Sequence, residues 1–144
     1  AQMGLAITNL RSGRLIQAEQ GFDELARILP TSADVRYFRG LVQEAKGDAR
    51  GAIASYREAI GLRFDHFGAN VALAGVLADG GFYREAIKAY KHVVRIDDHY
   101  GPGWYDLAMM YLAIDDMANA RQCYAILRSV DADLAVKLKA KLGG

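Results

Sequence analysis

The stretch GFYREAIKAYKHVVRI, residues 81–96, decides the fold. From Ala86 onward its apolar residues fall at Ala86, Tyr90, Val93 and Ile96, steps of four and three that place them on one face of an α-helix. Neither glycine nor proline interrupts 86–96. The same pattern returns along the chain. Ala18, Ala52, Ala86 and Ala120 are spaced 34 residues apart, and each is followed four residues later by an aromatic: Phe22, Tyr56, Tyr90 and Tyr124. Leu25, Ala59, Val93 and Leu127 come next, then Ile28, Leu62, Ile96 and Val130. Five residues before each alanine stands Gly13, Gly47, Gly81 or Asp115.

A fixed period of this length marks a repeat architecture in which each copy is one supersecondary unit. The alanine belongs where two helices cross, since a larger side chain would hold the backbones apart. The aromatic one turn later fills the wider space beside it. Glycine at the turn ends the first helix by taking a left-handed backbone at little cost. Asp48 and Asp116 stand where an N-cap of the second helix belongs. The pattern predicts paired helices at 2–12 and 16–29, 34–46 and 49–62, 68–80 and 83–96, and 102–114 and 117–130, with a last helix at 133–142. That helix carries Lys137, Lys139 and Lys141, the polar cover a stack needs at its end.

These residues resemble the tetratricopeptide repeat family, whose pattern is Trp, Leu-Gly, Tyr, then Ala, an aromatic and Pro. The fourth unit fits best, with Trp104, Leu107, Ala108, Tyr111, Ala120 and Tyr124. The third offers Leu73, Ala74, Leu77, Ala86 and Tyr90; the first offers Leu5, Ala6, Ala18, Phe22 and Pro30; the second has Gly40, Ala52, Tyr56 and Ala59. In the second unit Arg36, Arg39 and Gln43 replace large apolar residues, and Phe38 and Val42 are expected to take over their packing. The resemblance implies an all-α, right-handed α-solenoid of four helix-turn-helix repeats with a C-terminal capping helix. It forms one domain over 1–144, with repeats at 1–32, 33–66, 67–100 and 101–134.

In such a stack the first helices of all units line a concave surface. Rotated from the packed side of helix 102–114 are Tyr105, Met109 and Leu112, spaced i, i+4, i+7. The same offsets give Met3, Ile7 and Leu10 in the first unit, Tyr37, Leu41 and Glu44 in the second, and Val71, Gly75 and Ala78 in the third. The family resemblance implies that these positions touch ligand. Most are apolar, and a contiguous apolar surface calls for a partner. Gly75 and Ala78 leave a hollow for a bulky ligand side chain. The expected function is a non-catalytic protein–protein interaction scaffold that holds a hydrophobic or amphipathic peptide. The alternative is self-association, or a regulatory part of a larger and possibly enzymatic protein. The inner positions Met3, Ile7, Tyr37, Phe38, Pro102 and Asp106 do not form the cationic clamp by which some relatives hold acidic chaperone tails.

Composition agrees. Charged residues are 24% and hydrophobic residues 52%, the balance of a globular chain. Eighteen Lys+Arg against 17 Asp+Glu leave a net charge of +1, too little field to grip a nucleic acid backbone. No apolar run reaches the ~18 residues of a membrane span, and no signal peptide stands at the start. Without an initiator Met the chain reads as a fragment of something longer. The one cysteine, Cys123, cannot form an internal disulfide and leaves the compartment open. It is expected to be a small buried hydrophobe. No phosphate loop, cofactor motif or catalytic constellation is present. His66, His92 and His99 are scattered, and Asp97-Asp98-His99 is expected to be a solvated loop rather than a metal site.

Overall fold

The structure, a computed structural model, describes residues 2–143. Among them are nine α-helices and no strand: α1 (Gln2–Arg11), α2 (Leu15–Ile28), α3 (Ala33–Ala45), α4 (Ala49–Leu62), α5 (Phe67–Asp79), α6 (Tyr83–Ile96), α7 (Gly101–Ala113), α8 (Met117–Val130) and α9 (Ala132–Lys141). The architecture is an all-α helical-repeat solenoid fold, with the helix boundaries set by the 34-residue period. Two compact units divide the chain, Ala1–Val76 and Leu77–Gly144.

The turn chemistry repeats with the period. Gly13, Gly47 and Gly81 have φ of +78°, +84° and +80°, and Asp115, their counterpart, sits at +60°. This left-handed position ends the first helix of each pair, and glycine adopts it without strain. Asp48 caps α4 by accepting from the Gly51 N–H, and Asp116 caps α8 by accepting from the Asn119 N–H. Asn119 also donates from Nδ2 to Asp116, and these bonds hold the carboxyl below its ordinary range. Two copies dispense with such a cap: Arg14 and Phe82 hold that place without a side-chain bond.

In the first unit α1 packs on α2, α2 on α3, and α3 on α4. Ala6, Ala18, Phe22, Leu25, Val35 and Val42 form a buried cluster. The second unit joins α6 to α7, α7 to α8, and α9 to both α7 and α8. Its buried residues include Ala86, Tyr90, Val93, Leu107, Ala108, Ala120 and Leu127. All four crossing alanines, Ala18, Ala52, Ala86 and Ala120, are 0% exposed. The last helix buries Ala135 and Leu138 and turns its lysines outward. Asp131 both ends α8 and caps α9, accepting from the Leu134 N–H.

The second repeat replaces apolar packing with polar pairs. Arg39 Nε lies 2.9 Å from Asp23, Arg36 Nε 3.7 Å from Glu58, and the Ser55 hydroxyl donates to the Gln43 side-chain oxygen. Val42 is fully buried, as expected, while Phe38 stays half-buried and stacks on Phe22 with ring centres 5.5 Å apart. Val35, fully buried in the same cluster, adds to this packing.

Gly40 shows why this repeat departs from the others, which carry Ala6, Ala74 and Ala108 at the same place. A Cβ at Gly40 would overlap the Tyr56 ring, which is fully buried and donates from its hydroxyl to Glu44 at 2.7 Å. Gly75, in the middle of α5, has nothing within 4 Å of such an atom. Alanine in a helix interior gains about 0.8–1 kcal/mol over glycine, whereas overpacking a filled core costs about 1–3 kcal/mol. The two effects therefore predict opposite signs. Urea unfolding should show Gly75→Ala more stable by up to about 1 kcal/mol and Gly40→Ala less stable by about 1–2 kcal/mol. Equal shifts at the two sites would mean that Tyr56 does not fix its surroundings.

Candidate peptide-binding groove

The candidate residues sit on the first helix of each pair. In the first unit Met3, Ile7 and Leu10 lie on α1, partly buried, and pack on one side against the cluster around Phe22. Tyr37 and Leu41 on α3 are also half-buried, while Glu44 is exposed and already accepts from the Tyr56 hydroxyl. Val71 and Gly75 on α5 are half-buried, and the space beside Gly75 is open.

Tyr37 packs against three other rings. Its ring centre lies 5.2 Å from that of Phe38, 6.1 Å from Tyr56 and 5.0 Å from His66. It also lies over Gly68, where a Cβ would meet the ring at 2.9 Å. Burial first, and the nearby Glu44 charge second, push its phenol above the ordinary value. Tyr37 thus serves the packing of α3 on its neighbours and leaves only part of its ring to solvent.

In the second unit Ala78, Tyr105, Met109 and Leu112 are half-buried. Lys137 of α9 places its ammonium 5.9 Å from the Tyr105 ring centre, a cation–π contact. The end helix therefore reaches the same side of α7 that carries Tyr105. Met110 is half-buried like Met109. Asp106, about one turn before Met109 on α7, is half-buried, and removal from water raises its carboxyl above the ordinary range. No ion pair or hydrogen bond joins it to a described residue.

His66 departs from the reading of the histidines as scattered. It is 5% exposed and forms the N-terminal cap of α5. Its Nδ1 accepts from the Ala69 N–H at 3.0 Å, so the proton belongs on Nε2, which faces Asp34 Oδ1 at 2.8 Å. Asn70 closes the turn by donating to the carbonyls of Phe64 and His66. The sequence signal lay in position: His66 stands immediately before α5, where Ser32 precedes α3. Histidine is a rare cap, outside the Ser, Thr, Asp and Asn set that marks most helix starts.

Cys123 is buried, and burial pushes its thiol up to about 11, far from the thiolate a nucleophile needs. Asp97, Asp98 and His99 are all exposed in one loop, with ligand atoms within 4.8 Å of one another and His99 Nδ1 2.7 Å from Asp98. No helix among the described residues is long and apolar enough to cross a membrane.

Paired helices with small crossing residues, left-handed turns and a 34-residue period define a helical-repeat protein. The tetratricopeptide repeat model matches residues 33–66, the pair α3–α4. A tetratricopeptide repeat protein of Parabacteroides merdae superposes with a TM-score of 0.89 at 17% identity, covering 98% of this chain and 57% of that one. YrrB, described as having an unusual peptide-binding site, superposes at 0.81 with 18% identity over 96% of this chain and 73% of its own. MamA gives 0.81 at 17% identity over 95% and 91%. Among curated proteins, human tetratricopeptide repeat protein 7B is 27% identical over 120 residues, 83% of this chain. A probable biofilm formation methyltransferase, WspC of Pseudomonas putida, is 42% identical over 67 residues, 44% of this chain. The chain spans only 14% and 16% of these two relatives. Residues 33–66 thus match the tetratricopeptide repeat family, and the chain shares the helical-repeat fold of these structures.

The sign of the Asp106 effect is testable. Its folded pKa is raised, so the charged form burdens the fold at neutral pH, and the burden disappears below the unfolded value of 3.8. Asp106→Asn should raise the melting temperature at pH 7, and the difference should vanish at pH 3. A lower melting temperature at pH 7 would show that the carboxylate has a stabilising partner.

Proposed function

We propose that the chain is a non-catalytic scaffold that holds a hydrophobic or amphipathic peptide segment against the first helices of its four repeats. The observation that carries this reading is the half-burial of apolar residues on the first helices within each unit. Met3, Ile7, Leu10, Leu41, Val71, Tyr105, Met109 and Leu112 each pack one side inward and leave the other to solvent. Such side chains are already ordered, so a ligand that covers them pays little further side-chain entropy. The open space beside Gly75 admits a bulky ligand side chain. The desolvated Asp106 carboxylate, one turn from Met109 on α7 and without a cation of its own, favours a segment that brings a lysine or arginine. The peptide-binding site described for YrrB, which shares the fold, supports the same use of the scaffold.

Self-association is the second reading, and Leu5 favours it. Its counterparts in the third and fourth repeats, Leu73 and Leu107, are 8% and 3% exposed, whereas Leu5 is 63% exposed. A large apolar residue so placed is suited to cover by another repeat.

A peptide array of amphipathic segments, probed with the wild-type chain and with Leu41→Glu and Tyr105→Glu, tests the first reading. Both variants should fold, by circular dichroism, and lose at least tenfold in affinity for every captured segment. Binding unchanged in both folded variants would refute the groove. For the second reading, sedimentation should show a mass that rises with concentration and falls back to the monomer in Leu5→Lys.

A further inference from the structure

A second cavity lies on the other side of α7, and its chemistry differs from that of the proposed groove. It occupies about 560 Å³ within the second unit, between α6, α7 and α8. This is within the range of about 300–1,000 Å³ typical of ligand pockets. At about 100° of rotation per residue, Trp104, Leu107 and Tyr111 stand about 130° around α7 from Tyr105, Met109 and Leu112. Its floor is apolar: Val94, Leu107 and Cys123 are 6%, 3% and 3% exposed. The rings of Trp104 and Tyr111 supply the walls, and the Trp104 indole is held by donation to the Asp98 carbonyl at 2.8 Å.

The rim carries the charge. Lys91 and Arg95, one turn apart on α6, both line the cavity and are exposed. Neither makes an ion pair or hydrogen bond with a described residue. Asp98 is the one acidic residue of the lining, and His99 Nδ1 lies 2.7 Å from it. An apolar, aromatic-walled hollow under two free cations is complementary to a large apolar side chain flanked by carboxylates.

We propose that this cavity is a second recognition site, which takes an acidic peptide segment by one bulky apolar or aromatic side chain, with Lys91 and Arg95 pairing its Asp or Glu neighbours. The site does not depend on the concave groove. It gives the scaffold a second contact of opposite charge preference, since the groove face carries the unpaired Asp106.

The experiment uses the chain's single tryptophan, which forms part of the wall. Acetyl-Glu-Phe-Leu-Glu-amide and acetyl-Lys-Phe-Leu-Lys-amide are titrated into the whole chain while Trp104 fluorescence is followed. The acidic peptide should give a saturable change, and the basic peptide should bind at least tenfold more weakly. The double reversal Lys91→Glu with Arg95→Glu lies on exposed positions and should abolish the acidic preference, while Tyr105→Glu should leave it intact. Equal responses to both peptides, no saturation, or loss in Tyr105→Glu instead of the double variant would overturn the proposal. Saturation by 4-phenylbutyrate without any response to the acidic peptide would also overturn it, in favour of a small-molecule acid site. Failure of the groove in the array experiment would leave these outcomes unaffected.

Discussion

Close approach of helices at small residues is the constraint on which the structure depends. Ala18, Ala52, Ala86 and Ala120 have no exposed surface, and Ala6, Gly40, Ala74 and Ala108, the small residues of the first helices, are buried as well. Small side chains on both sides let the backbones approach, and the space that opens one turn away is filled by Phe22, Tyr56 and Tyr90. Each repeat has one solution to this packing, which fixes which face of every helix turns inward. The face left over is available for recognition.

The structure also shows how a repeat tolerates departures without losing its register. Where the second copy lacks large apolar residues, Arg36, Arg39 and Gln43 find Glu58, Asp23 and Ser55. The two ion pairs, whose carboxylates are about half exposed, contribute little, of the order of 0–1 kcal/mol each, so the burial of Val35, Val42 and Tyr56 must hold that repeat. Asp115 takes the left-handed turn that glycine takes elsewhere, which aspartate tolerates better than most residues.

Much of this was legible in the sequence because a repeat states its rule four times. The period gave the pairing, and Gly13, Gly47, Gly81 and Asp115 gave the turns to within a residue or two. Asp48 and Asp116 were readable as caps because carboxylates commonly serve there. His66 was not, since capping by an imidazole depends on the ring's orientation toward Ala69 and Asp34, which spacing does not encode. The involvement of Tyr37 with His66 and Gly68 is likewise a matter of three-dimensional contact between repeats. The cavity beside Trp104 was invisible for a similar reason. Its lining comes from three helices, and each residue taken singly reads as an ordinary core or surface position.

For the proposed groove, ligand contact falls to the first helix of each pair and the second helices pack behind it. Hydrogen–deuterium exchange on the chain, alone and with a bound groove segment from the array, tests this most directly. Added protection should fall on α1, α3, α5 and α7, with α2, α4, α6 and α8 unchanged. Protection confined to the second helices, or none at saturating ligand, would contradict the account.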